Sequence, residues 1–406
     1  MAVSFDSSPL ESVAGGVCAA NGFKAGGIKS GIKKSGSADL GLIYSEHPCT
    51  AAGTFTQNAI RASSVDWCEN SLPSEKVHAI ICNSGCANAC TGDEGVKNNG
   101  AMAAWVSEAL HLQPETVLTA STGVIGEQLP MATIAPAITE LVGSLSPRGG
   151  LSFAKAIMTT DLVEKESAVK VHSNDGSYTI GGCCKGSGMI HPNMATMLAF
   201  ICTDALIDEK LLSKIIKKSV DRTFNNLTVD GDTSTNDMVL IVANGHSAIP
   251  ITHSGAALFE EALFTVCNDL CKQIAADGEG ATKSVEIVVT GAKNEKDAKL
   301  AAKAVANSNL TKCALFGNDP NWGRIACAVG YSGATFSKKH MSIKLCGVQV
   351  FKDLQPVPFD HKKLHTLLKS KTVTIQIDLA QGKSEAIAHT CDLSYDYVRI
   401  NAEYHT

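Results

Sequence analysis

The stretch KGSGMIHPNMATMLAFIC, residues 185–202, passes from a glycine-rich loop through a proline turn straight into an apolar strand that opens at Thr196. Glycine and proline punctuate chain direction, and a short apolar run after them reads as a buried strand. Downstream, DEKLLSKIIKKSV (208–220) sets Leu211, Leu212, Ile215, Ile216 and Val220 on one stripe. That spacing predicts a helix, with Asp208 as its N-cap. Phe259, Leu263, Cys267, Leu270 and Ile274 form a second stripe across 256–276. Strands are predicted at Met238–Ala243, Ser284–Thr290 and Thr372–Leu379, and upstream at His78–Cys82 and Met197–Cys202. Helices alternating with strands make the fold class α/β or α+β, and periodicity does not choose between them. No internal repeat of about 20–50 residues is visible. Glycine-rich segments at 26–36, 85–95, 123–126 and 181–188 call for special backbone geometry or close approach. A boundary between two ordered regions is expected near 181–196.

The chain has 406 residues, of which 44% are hydrophobic and 18% charged. That is ample material for a core, so a disordered or low-complexity protein is excluded. At roughly 150 residues per domain, two or three domains are expected. The net charge of −5 and the absence of any basic run beyond Lys33-Lys34 argue against a nucleic-acid partner or an anionic membrane surface. The opening MAVSFDSSPLESVAGG lacks a basic segment followed by an apolar one, and no stretch approaches the ~20 apolar residues of a membrane span. The expected location is the cytosol, with the 15 cysteines reduced and mostly buried as small hydrophobes.

Cys82, Cys86 and Cys90 recur every four residues, a spacing that would share one helical face. The C-x-x-C step and fourth ligand of a metal site are missing, and Cys183-Cys184 is adjacent rather than spaced, so no metal is expected. Gly186-Ser187-Gly188 and Gly278-Glu279-Gly280 match neither phosphate-binding glycine motif, and no G-x-S-x-G elbow is present. Thr196 is the residue with chemistry to offer. A threonine hydroxyl needs an adjacent base, and a chain-terminal threonine carries one in its own α-amine, with a pKa of about 7.7–8.0. An internal Thr196 gains that amine only if the Ala195–Thr196 bond is cut. Its own hydroxyl can make the cut by attacking the Ala195 carbonyl, and the small Ala195 side chain does not obstruct the attack. The plainer alternative is a threonine that merely opens a strand.

KGSGMIHPNMATML (185–198) closely resembles the self-cleavage and nucleophile region of the ArgJ family, the ornithine acetyltransferase / glutamate N-acetyltransferases of arginine biosynthesis. GIKKSGSADLGLI (31–43), AAGTFTQNAIRAS (51–63), NSGCANACTGDEG (83–95), STGVIGEQLP (121–130), IMTTDL (157–162), TVDGDTSTND (228–237), DGEGATK (277–283), GNDPNWGRI (317–325) and INAEYHT (400–406) follow in family order, so the resemblance spans essentially the whole chain. One departure is Cys86, where the family pattern carries asparagine.

The resemblance implies a layered helix/sheet sandwich of the ornithine acetyltransferase / DmpA type, cut into an alpha chain (1–195) and a beta chain (196–406) that share a core. It implies acetyl transfer from N2-acetylornithine to glutamate through an acetyl ester on Thr196, with ping-pong kinetics. The oxyanion donors would be the Thr122 hydroxyl and the Gly123 backbone N–H. Lys185 would meet the substrates' α-carboxylate and Glu279 the ornithine ammonium; taken alone, these read as a surface lysine and a solvated turn residue. Thr159 or Thr160 would line the same pocket, and Asn401 and Thr406 would close it, which requires a tied-down C-terminus. An α2β2 assembly and no cofactor are implied. Acetyl-CoA is a second donor in some members, and no motif here separates them from the rest. An aminopeptidase using the same self-cleaved threonine, with water as acceptor, is the alternative reading.

Overall fold

The computed structural model describes residues 8–191 and 197–403. Strands β1 (Leu10–Ser12), β2 (Phe23–Ile28), β3 (Leu40–Phe55), β4 (Ser74–Cys86), β5 (Val117–Val124), β6 (Lys165–Ser173), β7 (Gly176–Lys185), β8 (Leu198–Thr203) and β9 (Met238–Ala243) form one mixed sheet. Its order is β1-β6-β7-β8-β9-β3-β4-β5, with β2 paired to β3. A second sheet, ordered β13-β12-β11-β14-β10-β15, holds β10 (Ser284–Ala292), β11 (Ser342–Leu345), β12 (Val348–Lys352), β13 (Gln355–Pro356), β14 (Thr372–Asp378) and β15 (Ser384–Cys391).

The central strands show why the apolar runs are continuous. Side chains alternate faces along a strand, so a strand with both faces covered is apolar throughout. Ala199 and Ile201 of β8, with Val239 and Ile241 of β9, point into one core beneath the helices Glu209–Arg222 and Ala256–Ala276. Leu198, Phe200 and Cys202, with Met238, Leu240 and Val242, point the other way, against Phe153 of the helix Gly150–Ala156. The helix Ala256–Ala276 lies between the sheets, touching β6 and β7 on one side and β10 and β15 on the other. The molecule is therefore a layered α/β sandwich.

Asp208 caps its helix as the sequence predicts, accepting the Lys210 and Leu211 N–H groups. The expected boundary near 181–196 is corrected: β7 and β8 pair antiparallel, Lys185 facing Leu198, so both sides of that loop lie in one sheet. Among the described residues the strand after the loop runs from Leu198, so Met197 stands just outside it. Cys82 and Cys86 lie on β4 and Cys90 beyond it, so the three thiols share no helical face; β4 is held between β3 and β5, which imposes a period of two. Ten of the 15 free cysteines are buried, and burial pushes Cys49, Cys68 and Cys82 up to about 12, which makes them packing groups rather than nucleophiles. Among the described residues, no helix is long and apolar enough to cross a membrane, and no cluster of three or more His, Cys, Asp or Glu is placed to hold a metal.

Candidate active site

One opening of about 630 Å³ is lined by Thr122, Gly123, Thr159, Thr160, Lys185, Glu279 and Asn401, together with Ile125, Gly188, Met189, Ser234, Thr235 and Asn236. Seven sequence-selected residues thus meet, drawn from the end of β5, the loop after the helix Gly150–Ala156, the end of β7, the loop before β10 and the helix Tyr395–Glu403. Both Thr159 and Thr160 line it. Ala195, Thr196 and Thr406 lie outside the described residues.

Thr122 and Gly123 sit beside Ser84 and Gly85 of the parallel strand β4. Gly123 has φ +133°, and a Cβ there would stand 2.3 Å from the Gly85 carbonyl carbon. Only glycine brings its N–H to this position. Lys185 Nζ donates to Thr122 Oγ1 at 3.3 Å, and Lys185 is only 9% exposed. Because the Thr122 oxygen accepts from an ammonium, its own O–H remains to donate elsewhere.

Across the opening, Glu279 is also buried, with Asn401 Nδ2 donating to its Oε2 at 2.9 Å. A Cβ on Gly188 would meet the Glu279 carboxylate at 2.2 Å, so a side chain there would displace that carboxylate. The helix Tyr395–Glu403 is tied down by Ser394, whose hydroxyl donates to the Gly280 carbonyl, and by Tyr395 packed edge-on against Phe316.

Behind the walls lies a network that residue-by-residue reading did not select. Lys165, wholly buried, donates to Asp161 Oδ1 at 2.7 Å and Asp277 Oδ2 at 2.5 Å. Asp161 also accepts the N–H groups of Thr159 and Gly186, and Asp277 those of Leu162 and Val163. Three walls are thereby fastened to one ammonium. Burial works against ionisation of Asp161, but Lys185 and Lys165 outweigh it and hold the carboxyl at about 2. Asn236, buried before β9, donates to the carbonyls of Ala87 and Ser121 at 2.6 and 2.7 Å, fixing the backbone just ahead of Thr122. Lys33, dismissed as half of a short basic pair, donates to the carbonyls of Ala38 and Met158 and so buttresses the Thr159–Thr160 wall. Lys33, Asp161, Asn236 and Asp277 lie within the motifs 31–43, 157–162, 228–237 and 277–283, whereas Lys165 lies in none of them.

The ArgJ family profile matches residues 24–406. The arginine biosynthesis bifunctional protein ArgJ of Synechococcus sp. is 45% identical, covering 98% of this chain and 99% of its own; that of Bacillus subtilis is 44% identical, covering 97% of each. The crystal structure of arginine biosynthesis bifunctional protein argJ from Bacillus halodurans is 44% identical, with a TM-score of 0.50, over 52% of this chain and 100% of that one. The pocket residues lie within a sequence that matches the Synechococcus and Bacillus subtilis proteins over nearly its whole length, and this chain belongs to the ArgJ family.

Proposed function

We propose that the pocket transfers acetyl from N2-acetylornithine to glutamate through an ester on Thr196. Membership of its family makes the chain an acetyltransferase of arginine biosynthesis. The observation that carries the mechanism is the meeting of Thr122, Gly123, Lys185 and Glu279 on one opening.

Thr196 first gains its amine. Its Oγ adds to the Ala195 carbonyl carbon, the peptide C–N bond breaks, and the hydroxyl proton passes to the departing nitrogen. Water then hydrolyses the ester, leaving a carboxylate on Ala195 and restoring the Thr196 hydroxyl. The products are 1–195 and 196–406.

In turnover, Thr196 Oγ attacks the acetyl carbonyl while the α-amine takes its proton. The oxyanion faces the Thr122 O–H and the Gly123 N–H, donors already held in place before charge develops. The C–N bond to ornithine breaks, and the ornithine nitrogen leaves with the proton. Glutamate's α-nitrogen then attacks the ester, giving N-acetylglutamate and free Thr196. Lys185 offers a cation to the α-carboxylate both substrates share, and Glu279, steadied by Asn401, faces the ornithine ammonium. Two cleaved units associate as α2β2, and the chemistry requires no cofactor.

Intact mass under denaturing conditions tests the first step: two fragments meeting between Ala195 and Thr196 are expected, and a single 406-residue chain would remove the amine on which the mechanism depends. Acetylornithine consumption with and without glutamate tests the second. Equal rates would make the enzyme a hydrolase.

A further inference from the structure

The residues just ahead of the proposed cut are held by one short run of chain. Met189 adopts φ +55°, a left-handed conformation that a side-chain-bearing residue enters only at a cost. Asp230 accounts for it: its Oδ2 accepts the Met189 N–H at 2.7 Å and its Oδ1 the Ile190 N–H at 2.9 Å. One carboxylate on two successive N–H groups fixes the turn between them. The Ile190 carbonyl accepts from the Val229 N–H at 2.7 Å, and the His191 carbonyl from Thr233 Oγ1 at 2.8 Å. Beyond the cut, the Met197 carbonyl accepts from the Met238 N–H at 3.0 Å. The run Thr228–Met238 therefore fastens the chain on both sides of Ala195–Thr196, at His191 and again at Met197. Asp230 Oδ2 is further met by the Tyr397 hydroxyl of the C-terminal helix at 3.3 Å.

We propose that Asp230 is a positioning residue for self-cleavage. Its carboxylate sets the turn at Met189 and Ile190, and so anchors the chain ahead of the cut. Asp230 exchanges no proton with the reacting atoms and acts through the backbone alone. The inference rests on reading Thr196 as a self-released nucleophile.

Asp230→Asn is isosteric but places an amide where two N–H donors point. Asp204→Asn is the control, because Asp204 also accepts backbone N–H groups, from Asn21 and Thr179, away from the cut. Wild type and both variants are purified, checked for folding by circular dichroism, and followed by intact mass for the fraction still joined. Asp230→Asn is expected to fold and to cleave at least about tenfold more slowly, equivalent to about 1.4 kcal/mol in the barrier, while Asp204→Asn cleaves at the wild-type rate. A folded Asp230→Asn that cleaves like wild type overturns the proposal. So does equal slowing in Asp204→Asn, which would mark a general loss of stability, or an Asp230→Asn that fails to fold while Asp204→Asn succeeds. A wild type that stays joined would instead refute the self-release reading itself.

Discussion

Lys165 is the residue on which the most geometry converges. A buried ammonium is tolerable only with its charge and donors satisfied, and Asp161, Asp277 and the Val163 carbonyl supply the partners. Lys165→Met leaves two buried carboxylates facing each other and should cost about 3–5 kcal/mol, read as a lowered urea midpoint; a change under about 1 kcal/mol would show that the walls do not depend on it. Asp161 adds an acid limit. Its folded pKa of about 2 lies below the ordinary 3.8, so its contribution is complete above the ordinary value and is lost as pH falls through about 2. Thr122 is a different case, because its oxygen accepts from Lys185 and leaves its own O–H to donate. Thr122→Ala should lower kcat by about 10²–10³ with little change in KM. An unchanged kcat would exclude Thr122 from the oxyanion site.

At the scale of elements, the helix Ala256–Ala276 and β15 join the two sheets, and His389 stands at that contact. Its Nε2 meets Asn268 Oδ1 at 2.8 Å, and its carbonyl accepts from the Thr228 N–H. Burial, helped by Lys272, pushes His389 down from 6.5 to about 4. The unfolded chain then binds the extra proton between those values, so stability falls as pH drops from 6.5 towards 4. His389→Gln keeps an amide within reach of Asn268 and should flatten that part of the stability–pH curve. An unaltered slope would mean that another group carries it. The helix Tyr395–Glu403 shows how a chain end becomes functional: Ser394 and Tyr395 anchor its start, and Asn401 then reaches Glu279.

For the whole molecule, a cut at Ala195–Thr196 separates β1–β7 from β8–β15, yet β7 pairs with β8 and β3 with β9 inside one sheet. The cores on both faces of that sheet take residues from each side of the cut. The fragments should therefore elute together on native size exclusion and part only in denaturant; separation in plain buffer would contradict the shared core. The elements were legible in the chain itself: the helix 256–276 and strand 238–243 fall where their apolar spacing puts them, because amphipathic periodicity is a local property. Resemblance pointed to Thr122, Gly123, Lys185, Glu279 and Asn401, which sit in short distinctive motifs. The supports behind them needed the tertiary structure. Lys165 meets Asp277 across 112 residues and Asn236 meets Ser121 across 115, and no local pattern encodes a partner at that distance. The spacing of Cys82, Cys86 and Cys90 suggested a helix for the same reason: which period a segment obeys depends on the strands that flank it, and these are brought there only by the fold.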